Sequence, residues 1–397
     1  MYMDALVLDP EKRTAVCEQL PAPLPGPFEI GVRVEAVSLN PVDSLYVRNP
    51  LAKSRRIVGS DFAGTITSLG TDIPATSNLQ IGDHVAGFLQ GACSVNERPG
   101  AFAEYLVVPW DLVWKLPDCV SLEQAVGVSL CALTAAQAVW YRLGLNAPFV
   151  YHESSVLTEH PEWINDRQHD PAASINVLIY GASTSVGLLA AQMVRISTKA
   201  GGQKLRLYGA ASKAKWEMLQ SDPYCYEQLV DYHDENWPEK VLELVGSKGI
   251  QYAVDCISEG SSVEKVSSLL AKNGNITILR SRAGNAWYAN SLTKEPIYGA
   301  VWEGLGEDVQ YQGITVHRSP AARQFAVQFY RWLSGSVGSV LKPVPIRLMP
   351  GGLDTIVEDG FALLGYGSME DRADSRSEEW MRPISAEKLV YKPWSSA

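Results

Sequence analysis

Residues 175–187 read Ile-Asn-Val-Leu-Ile-Tyr-Gly-Ala-Ser-Thr-Ser-Val-Gly, and this stretch decides the fold. The apolar run at 177–180 has strand character, Gly181 begins a turn, and residues 186–194 have the pattern of a helix. A strand, a turn of small residues and a helix N-terminus form a cradle for a pyrophosphate, because backbone N–H groups and the helix dipole point at the anion. The stretch therefore predicts a dinucleotide site. A buried strand–turn–helix without a ligand is the alternative.

The turn departs from the common pattern G-x-G-x-x-G, because Ala182 and Thr184 occupy two of the glycine positions. Its surroundings nevertheless continue the same architecture. Further strand-like runs occur at 204–211, 229–232, 252–256 and 275–279, with helical patterns between them such as 237–245 and 263–270. Strands that alternate with helices predict a doubly wound parallel sheet, in which nucleotides bind at the carboxyl ends of the strands.

The end of the second strand indicates the type of dinucleotide. An NAD site usually has an Asp or Glu there, which holds the ribose 2′-hydroxyl. This chain instead reads Gly-Ala-Ala-Ser-Lys-Ala-Lys over 209–215. Cations at the start of a helix oppose its dipole, so Lys213 and Lys215 favour the 2′-phosphate of NADPH. The alternative is that both are ordinary solvated lysines.

The first 130 residues have a different pattern. Residues 32–39 alternate as a strand does, residues 100–108 enter another strand, and turn signals recur at Gly59, Gly64 and Gly70. Many short strands separated by glycines predict a β-rich, barrel-like domain. The expected fold class is therefore α/β, with a β-rich domain beside a Rossmann-like doubly wound parallel sheet.

Composition limits the classes of function. The length of 397 residues suits two domains, and the net charge of −10 disfavours nucleic acid as a partner. The chain has no apolar run near about 18 residues, and its N-terminus lacks the pattern of a secretory signal, so we expect no membrane span and a cytoplasmic location. Its six cysteines form no C-x-x-C pair and are expected to be free thiols.

Four motifs follow one another in the order found in the medium-chain dehydrogenase/reductase superfamily, which this chain resembles. They are Asn-Pro-Val-Asp at 40–43, Gly-Ser-Asp-Phe-Ala-Gly at 59–64, Gly-Asp-His-Val at 82–85 and the run at 100–105. The resemblance implies a GroES-like catalytic domain formed by 1–135 and 312–397. It also implies a Rossmann-like NADPH-binding domain formed by 136–311, with the active site in the cleft between the two.

The zinc-binding positions of that superfamily are changed in this chain. Zinc alcohol dehydrogenases carry a Cys near the end of a strand like that at 32–39, and a Gly-His-Glu at the start of the glycine motif. Here those places read Leu39-Asn40 and Gly59-Ser60-Asp61, and the four closely spaced cysteines of a structural zinc loop are missing. We therefore expect no metal. Alcohol oxidation would lack its Lewis acid, which favours reduction of a polarised C=C bond.

Further segments resemble the fungal trans-acting enoyl reductases of the lovastatin type, which are partners of highly reducing polyketide synthases and of synthase–peptide synthetase hybrids. The matching segments are 41–44, 177–187, 212–215, 231–232, 252–257 and 385–390. The resemblance implies NADPH contacts at Pro41, Val42, Asp43, Ser44, Ser183, Thr184, Ser185, Val186, Ser212, Lys213, Ala214, Lys215, Tyr232, Leu279, Arg280, Ser385 and Ala386. It implies a substrate channel lined by Ala135, Ala136, Gln137, Ala138, Val139, Trp140, Tyr141, Arg142, Glu295, Pro296, Ile297, Tyr298 and Gly299.

Several of these contacts also have a purely structural interpretation. The hydroxyls at 183–185 can bind phosphates or cap the following helix. Tyr232 can cover the adenine or be a half-buried aromatic side chain at a strand end. The helix at 135–142 can leave room for a long acyl chain or pack between the domains, and residues 296–299 can contact the nicotinamide or belong to the core.

The resemblance implies conjugate reduction of an enoyl thioester held on an acyl carrier protein. The hydride reaches the β-carbon, and negative charge then develops on the thioester oxygen, which needs preorganised donors. Related proteins often have a Lys two residues after Asn-Pro-x-Asp, where this chain has Leu45, so the proton donor is unknown. The resemblance also implies a monomer. A free-standing quinone or alkenal reductase is the alternative function, and a non-enzymatic NADPH-binding protein is a third.

Two polar segments fall outside these motifs. Residues 150–173 contain three histidines and many carboxylates at irregular spacing, which predicts a solvated surface loop in preference to a metal site. Residues 365–383 are strongly charged and predict a disordered or mobile insertion.

Overall fold

Two sheets contain most of the strands in the computed structural model, which describes residues 1–163, 174–201, 204–311, 313–365, 367–369, 372 and 376–394. The described strands are β1 (Tyr2–Asp9), β2 (Thr14–Pro21), β3 (Glu29–Ser38), β4 (Asp61–Leu69), β5 (His84–Phe88), β6 (Tyr105–Pro109), β7 (Val113–Lys115), β8 (Ile175–Tyr180), β9 (Leu205–Ala210), β10 (Gln228–Val230), β11 (Ile250–Asp255), β12 (Leu270–Ile278), β13 (Ile297–Tyr298), β14 (Val309–Tyr311), β15 (Ile314–Val316), β16 (Ile346–Leu348) and β17 (Lys388–Tyr391). The described α-helices are α1 (Pro41–Arg48), α2 (Leu122–Val126), α3 (Ser129–Ala136), α4 (Glu153–Glu159), α5 (Ser185–Gly201), α6 (Trp216–Gln220), α7 (Trp237–Val245), α8 (Ser262–Ser267), α9 (Pro320–Ser336) and α10 (Phe361–Leu364).

A six-stranded parallel sheet surrounds the glycine turn that follows β8. Its strand order is β10-β9-β8-β11-β12-β13, and all neighbouring strands are parallel. This is the order 3-2-1-4-5-6 of the Rossmann-like sheet. Residues 175–179 of β8 are all buried, because helices cover both faces of such a sheet. The predicted doubly wound sheet is thereby confirmed.

The boundaries of two predicted elements shift. β10 ends at Val230, so Tyr232 lies beyond the strand and not within it. The helix predicted for 263–270 ends at Ser267, since the chain enters β12 at Leu270.

A seven-stranded sheet forms the β-rich part of the molecule. Its order is β16-β17-β3-β4-β5-β7, and β6 also pairs with β3. β17 pairs antiparallel with the end of β3, with Val390 opposite Ser38, so the C-terminal segment returns to the N-terminal part. The predicted GroES-like β-rich domain is confirmed, while the domain limits at 135/136 and 311/312 stay predictions.

A buried helical segment follows the N-terminal strands. α3 continues as a π-type helical turn at Gln137–Arg142, so the helix predicted for 135–142 is present. Trp140 is fully buried, with its ring centroid 5.7 Å from that of Phe149 and 5.5 Å from that of Trp332 in α9. This packing corresponds to the structural interpretation of the segment.

The two polar segments are more ordered than predicted where the structure describes them. Glu159 at the end of α4 accepts hydrogen bonds from the Ser319 hydroxyl (2.5 Å) and from the backbone N–H of Ala321 (3.0 Å), which fixes the start of α9. Residues 164–173 lie outside the described part. In the second segment, Arg376 forms ion pairs with Asp359 (2.5 Å) and Glu378 (2.6 Å), so the insertion is held by charge pairs there. Residues 366, 370–371 and 373–375 lie outside the described part.

None of the helices that the structure describes is long and apolar enough to cross a membrane.

Candidate active site

A cleft of about 1890 Å³ of empty space, partly open to solvent, receives residues from both sheets. Its walls come from the carboxyl ends of β8, β9, β11 and β12, from α1 and α3, and from the segment that leads into β17. Ligands of doubly wound sheets bind at the carboxyl ends of the strands. The cleft is therefore the candidate active site.

The turn after β8 is shaped for close approach of an anion. Gly181 has a φ of +75°, and a Cβ there would lie 2.8 Å from Cγ1 of Ile257. A Cβ on Gly187 would lie 2.4 Å from the carbonyl oxygen of Gly181, so α5 can approach the turn only because this residue is glycine. Ala182 is fully buried. The chain thus keeps glycine at 181 and 187, where the geometry requires it, although Ala182 and Thr184 replace the other glycines of the common pattern.

The hydroxyl groups at the start of α5 divide between two roles. Thr184 accepts a hydrogen bond from the Gly187 N–H (3.0 Å) and donates one to the Gly181 carbonyl (2.8 Å), so it caps the helix. Ser183, Ser185 and Val186 line the cleft together with Thr184. The capping interpretation therefore applies to Thr184, and Ser183 and Ser185 stay predicted phosphate contacts.

The end of β9 brings together three of the predicted cofactor residues. Ser212, Lys215 and Tyr232 line the cleft. Lys213 and Ala214 belong to the same short helical turn, but both are exposed and neither lines the cleft. The ring of Tyr232 is 41% exposed and lies 4.1 Å from that of His233, centroid to centroid. The structure thus places Lys215, and not Lys213, toward the cleft.

The ends of β11 and β12 are joined by an ion pair. Arg280 contacts Glu259 (2.6 Å) and donates a second hydrogen bond to the Gly367 carbonyl (2.9 Å). Glu259 also accepts from the backbone N–H of Met369 (3.1 Å). Leu279, Arg280, Glu259, Gly367, Met369 and Arg372 all line the cleft. The C-terminal insertion therefore contributes to the wall, which no local pattern in the sequence predicted.

On the side of the β-rich domain, Pro41 and Val42 line the cleft, but Asp43 and Ser44 do not. Asp43 accepts hydrogen bonds from the Asn40 N–H and the Ser60 hydroxyl, both at 2.7 Å. Burial raises the pKa of this carboxyl to about 7. The hydroxyl of Ser44 donates to the Gly365 carbonyl (2.8 Å). Both side chains therefore stabilise the start of α1, which carries Pro41, and Ser385 and Ala386 also line the cleft.

A buried polar cluster lies at the inner end of the cleft. The ammonium of Lys388 contacts Oδ2 of Asp61 (2.5 Å), Oδ1 of Asn40 (3.0 Å) and the Cys131 sulfur (3.7 Å). Asn40 and Asp61 belong to the two motifs in which, by the resemblance described above, zinc alcohol dehydrogenases carry metal ligands. Among the described residues there is no group of three or more His, Cys, Asp or Glu side chains that could hold a metal ion. Zinc independence stays a prediction.

Most residues of the predicted substrate channel do not line the cleft. Residues 135–142 are all buried and none of them lines the cleft; the preceding turns of α3 present Leu130, Cys131 and Thr134 instead. Tyr298 and Gly299 do line it, whereas Glu295, Pro296 and Ile297 do not. The reason is burial: the helical segment at 135–142 is surrounded by the core on all sides, and α3 reaches the cleft with its earlier residues.

Two features of this region were missed from the sequence. Trp302 and Tyr311 line the cleft beside Tyr298, and their ring centroids lie 6.4 Å apart. Arg142 lies directly behind Gly299, since a Cβ on that glycine would be 1.9 Å from its guanidinium nitrogen Nη2. Arg142 is held there by Glu303 (2.8 Å). These contacts join residues far apart in the chain, so no short pattern signals them.

Comparisons with known proteins agree with this architecture. Residues 26–118 match the alcohol dehydrogenase GroES-like domain. The chain is 32% identical over 276 residues to the trans-enoyl reductase ACTTS2 of Alternaria alternata, covering 69% of this chain and 71% of that protein. It is 28% identical over 396 residues to the trans-enoyl reductase traG of Penicillium crustosum, covering 98% and 96%. The solved structure of CurK enoyl reductase shares the fold, with a TM-score of 0.66 over 98% of both chains at 16% identity.

The identity to traG extends over nearly the whole chain, and the cleft at the carboxyl ends of the parallel strands fits a nicotinamide cofactor. The chain belongs to the trans-enoyl reductase family and is an enoyl reductase with the two-domain fold of medium-chain dehydrogenases/reductases.

Proposed function

We propose that the protein reduces the α,β double bond of an unsaturated acyl thioester with NADPH, while an acyl carrier protein of a polyketide synthase holds the acyl chain. One observation carries the proposal. A single cleft joins a pocket at the end of β9, with Ser212 and Lys215, to an apolar end formed by Leu45, Trp302 and Tyr311. The first part suits a phosphorylated ribose and the second suits an acyl chain.

The preference for NADPH rests on the chemistry at the end of β9. Lys215 presents an ammonium and Ser212 a hydroxyl toward the cleft, at the place where an NAD site would have a carboxylate. A 2′-phosphate would supply an anion for Lys215 at the start of α6, where a cation alone opposes the helix dipole. The glycines at 181 and 187 leave room for the pyrophosphate at the N-terminus of α5.

When bound, NADPH supplies the hydride, and the protein supplies position and a dry environment. Trp302, Val301 and Leu130 line the cleft and are all buried. These side chains exclude water from the reacting end. The Glu259–Arg280 pair and its bonds to Gly367 and Met369 cover the cofactor side.

The acyl chain is placed against the aromatic wall of the cleft. Tyr298, Trp302 and Tyr311 form this wall, and Leu45 and Val42 of α1 line the same cleft. Residues 135–142 lie behind this wall, because Arg142 packs against Gly299. We therefore propose that the predicted helix shapes the channel without contacting the substrate.

Steady-state turnover tests the proposal. The purified protein should oxidise NADPH with crotonyl-pantetheine, and faster with the same acyl group on a carrier protein. A small quinone and a free alkenal are the comparison substrates. Turnover of these two but not of the thioester would establish the alternative function, and NADPH binding without any turnover would favour a non-enzymatic role.

The carrier protein and the synthase are partners that the resemblance implies, and they are part of the proposal. We also propose that residues 1–135 and 312–397 form the catalytic domain and residues 136–311 the NADPH-binding domain. The monomeric state and the cytoplasmic location stay predictions.

A further inference from the structure

We infer that the ammonium of Lys388 is the group that hydrogen-bonds the substrate's carbonyl oxygen while negative charge develops on it. The inference deepens the proposed function and rests on it. Four cations line the cleft among the described residues: Lys215, Arg280, Arg372 and Lys388. Lys215 follows β9 and Arg280 follows β12, both on the side of the parallel sheet, whereas Lys388 begins β17 of the β-rich sheet.

The hydrogen bonds of Lys388 leave one donor poorly used. An ammonium has three N–H groups. Two of them point to good acceptors, Oδ2 of Asp61 and Oδ1 of Asn40, and the remaining neighbour is the sulfur of Cys131 at 3.7 Å. A thiol is a weak acceptor. A carbonyl oxygen that gains negative charge is a much stronger acceptor. The third N–H would therefore form a stronger hydrogen bond to this oxygen than to the thiol.

The surroundings keep the ammonium charged and fixed. Burial works against the charge, but the attraction and hydrogen bond of Asp61, together with its other neighbours, raise the pKa of Lys388. Asp61 is itself held by the Asn40 side-chain amide (2.8 Å), the Ser38 hydroxyl (3.2 Å) and the backbone N–H of Leu130 (3.0 Å). Burial raises the pKa of the Cys131 thiol, so it stays neutral. A charged donor held in this way needs no reorganisation during the reaction.

The position also explains the changed zinc motifs. Asn40 and Asp61 belong to the two motifs that carry ligands in zinc enzymes, and here both contact a lysine ammonium. The chain thus places its own cation where a Lewis acid would otherwise act. In the reaction, the hydride forms the new C–H bond at the β-carbon and the C=C π electrons move toward the carbonyl oxygen. Lys388 donates a hydrogen bond without losing its proton, and water supplies the proton to the α-carbon.

A purely structural ion pair is the competing explanation, and a double variant separates the two. Lys388→Met leaves Asp61 buried without its partner and is expected to be unstable. Lys388→Met with Asp61→Asn removes both charges and should recover the melting temperature. If Lys388 stabilises the oxyanion, the double variant should fold, bind NADPH within about threefold of the wild type, and still lose about 100-fold in kcat. Lys388→Arg, which keeps the charge, should retain more activity than the double variant.

The control is the ion pair of Arg323 and Asp111, which lies outside the cleft at 2.6 Å. The double variant Arg323→Met with Asp111→Asn should leave kcat unchanged. Wild-type kcat in the Lys388→Met/Asp61→Asn double variant would overturn the inference. If the wild type reduces only a quinone or an alkenal, the proposed thioester function fails. The same comparison on that acceptor still tests Lys388, because hydride addition charges a carbonyl oxygen there too. A wild type that reduces none of the acceptors overturns both.

Discussion

Replacing Lys215 should weaken the binding of NADPH and leave that of NADH unchanged. The side chain is partly buried at the cleft wall, and its ammonium is expected to face the 2′-phosphate. Two unit charges 4 Å apart interact by about 1 kcal/mol in water and by about 4 kcal/mol at the effective dielectric constant near a protein surface. A partly exposed pair lies toward the lower limit, at about 1.5–2 kcal/mol, because solvent and salt screen it.

This free energy corresponds to a loss of about 10–30-fold in affinity for NADPH in Lys215→Met. The chain offers a matched control in Lys213→Met, since Lys213 lies in the same helical turn but is exposed and does not line the cleft. Titration of both cofactors into the wild type and the two variants measures the dissociation constants. Equal losses for NADPH and NADH in Lys215→Met, or an equal effect of Lys213→Met, would refute the reasoning.

Two further predictions concern the turn and the buried carboxyl. Gly187→Ala should weaken cofactor binding and lower the melting temperature, because its Cβ would lie 2.4 Å from the Gly181 carbonyl oxygen. Gly335→Ala is the control and should be tolerated, because there is open space around that residue. Equal melting temperatures of the two variants in calorimetry would contradict this prediction. The pKa of Asp43 is raised by burial to about 7, so its contribution to stability is present at low pH and lost as pH rises from about 4 to about 7. Asp43→Asn should therefore reduce the drop in unfolding free energy between about pH 5 and about pH 8, measured by urea denaturation, and an unchanged drop would contradict the assignment.

The architecture could be predicted from the sequence because its signals are local. The apolar strands of the parallel sheet, the turn at Gly181 and the short glycine-separated strands are each contained in a few consecutive residues. Backbone sterics and burial fix such elements with little help from the rest of the chain. The order of the motifs then gave the superfamily, and the strand order of the structure agrees with it.

The site could be predicted only where one element supplies it. Lys213 and Lys215 are equivalent as sequence, yet only Lys215 lines the cleft, because the helical turn directs them differently. Residues 135–142 include small side chains of the kind expected in a channel, but all of them are buried in the core, and the earlier residues Cys131 and Thr134 of α3 line the cleft.

Contacts between distant segments could not be predicted. The cluster of Lys388, Asp61 and Asn40 joins residues more than 300 positions apart, through the return of β17 to β3. The contacts of Glu259 with Arg280 and Met369 likewise bring the C-terminal insertion to the cleft wall. The charged composition of the insertion had instead predicted a mobile segment. Tertiary pairing of this kind leaves no trace in periodicity or composition.

The most direct test of the central claim follows the hydride. NADPH that carries deuterium at the transferable position of the nicotinamide is incubated with the protein and an enoyl thioester on an acyl carrier protein, and the product is analysed by mass spectrometry and NMR. The account predicts a saturated thioester with one deuterium on the β-carbon and a solvent-derived hydrogen on the α-carbon. A product with deuterium on the carbonyl carbon, or no saturated thioester at all, would contradict it.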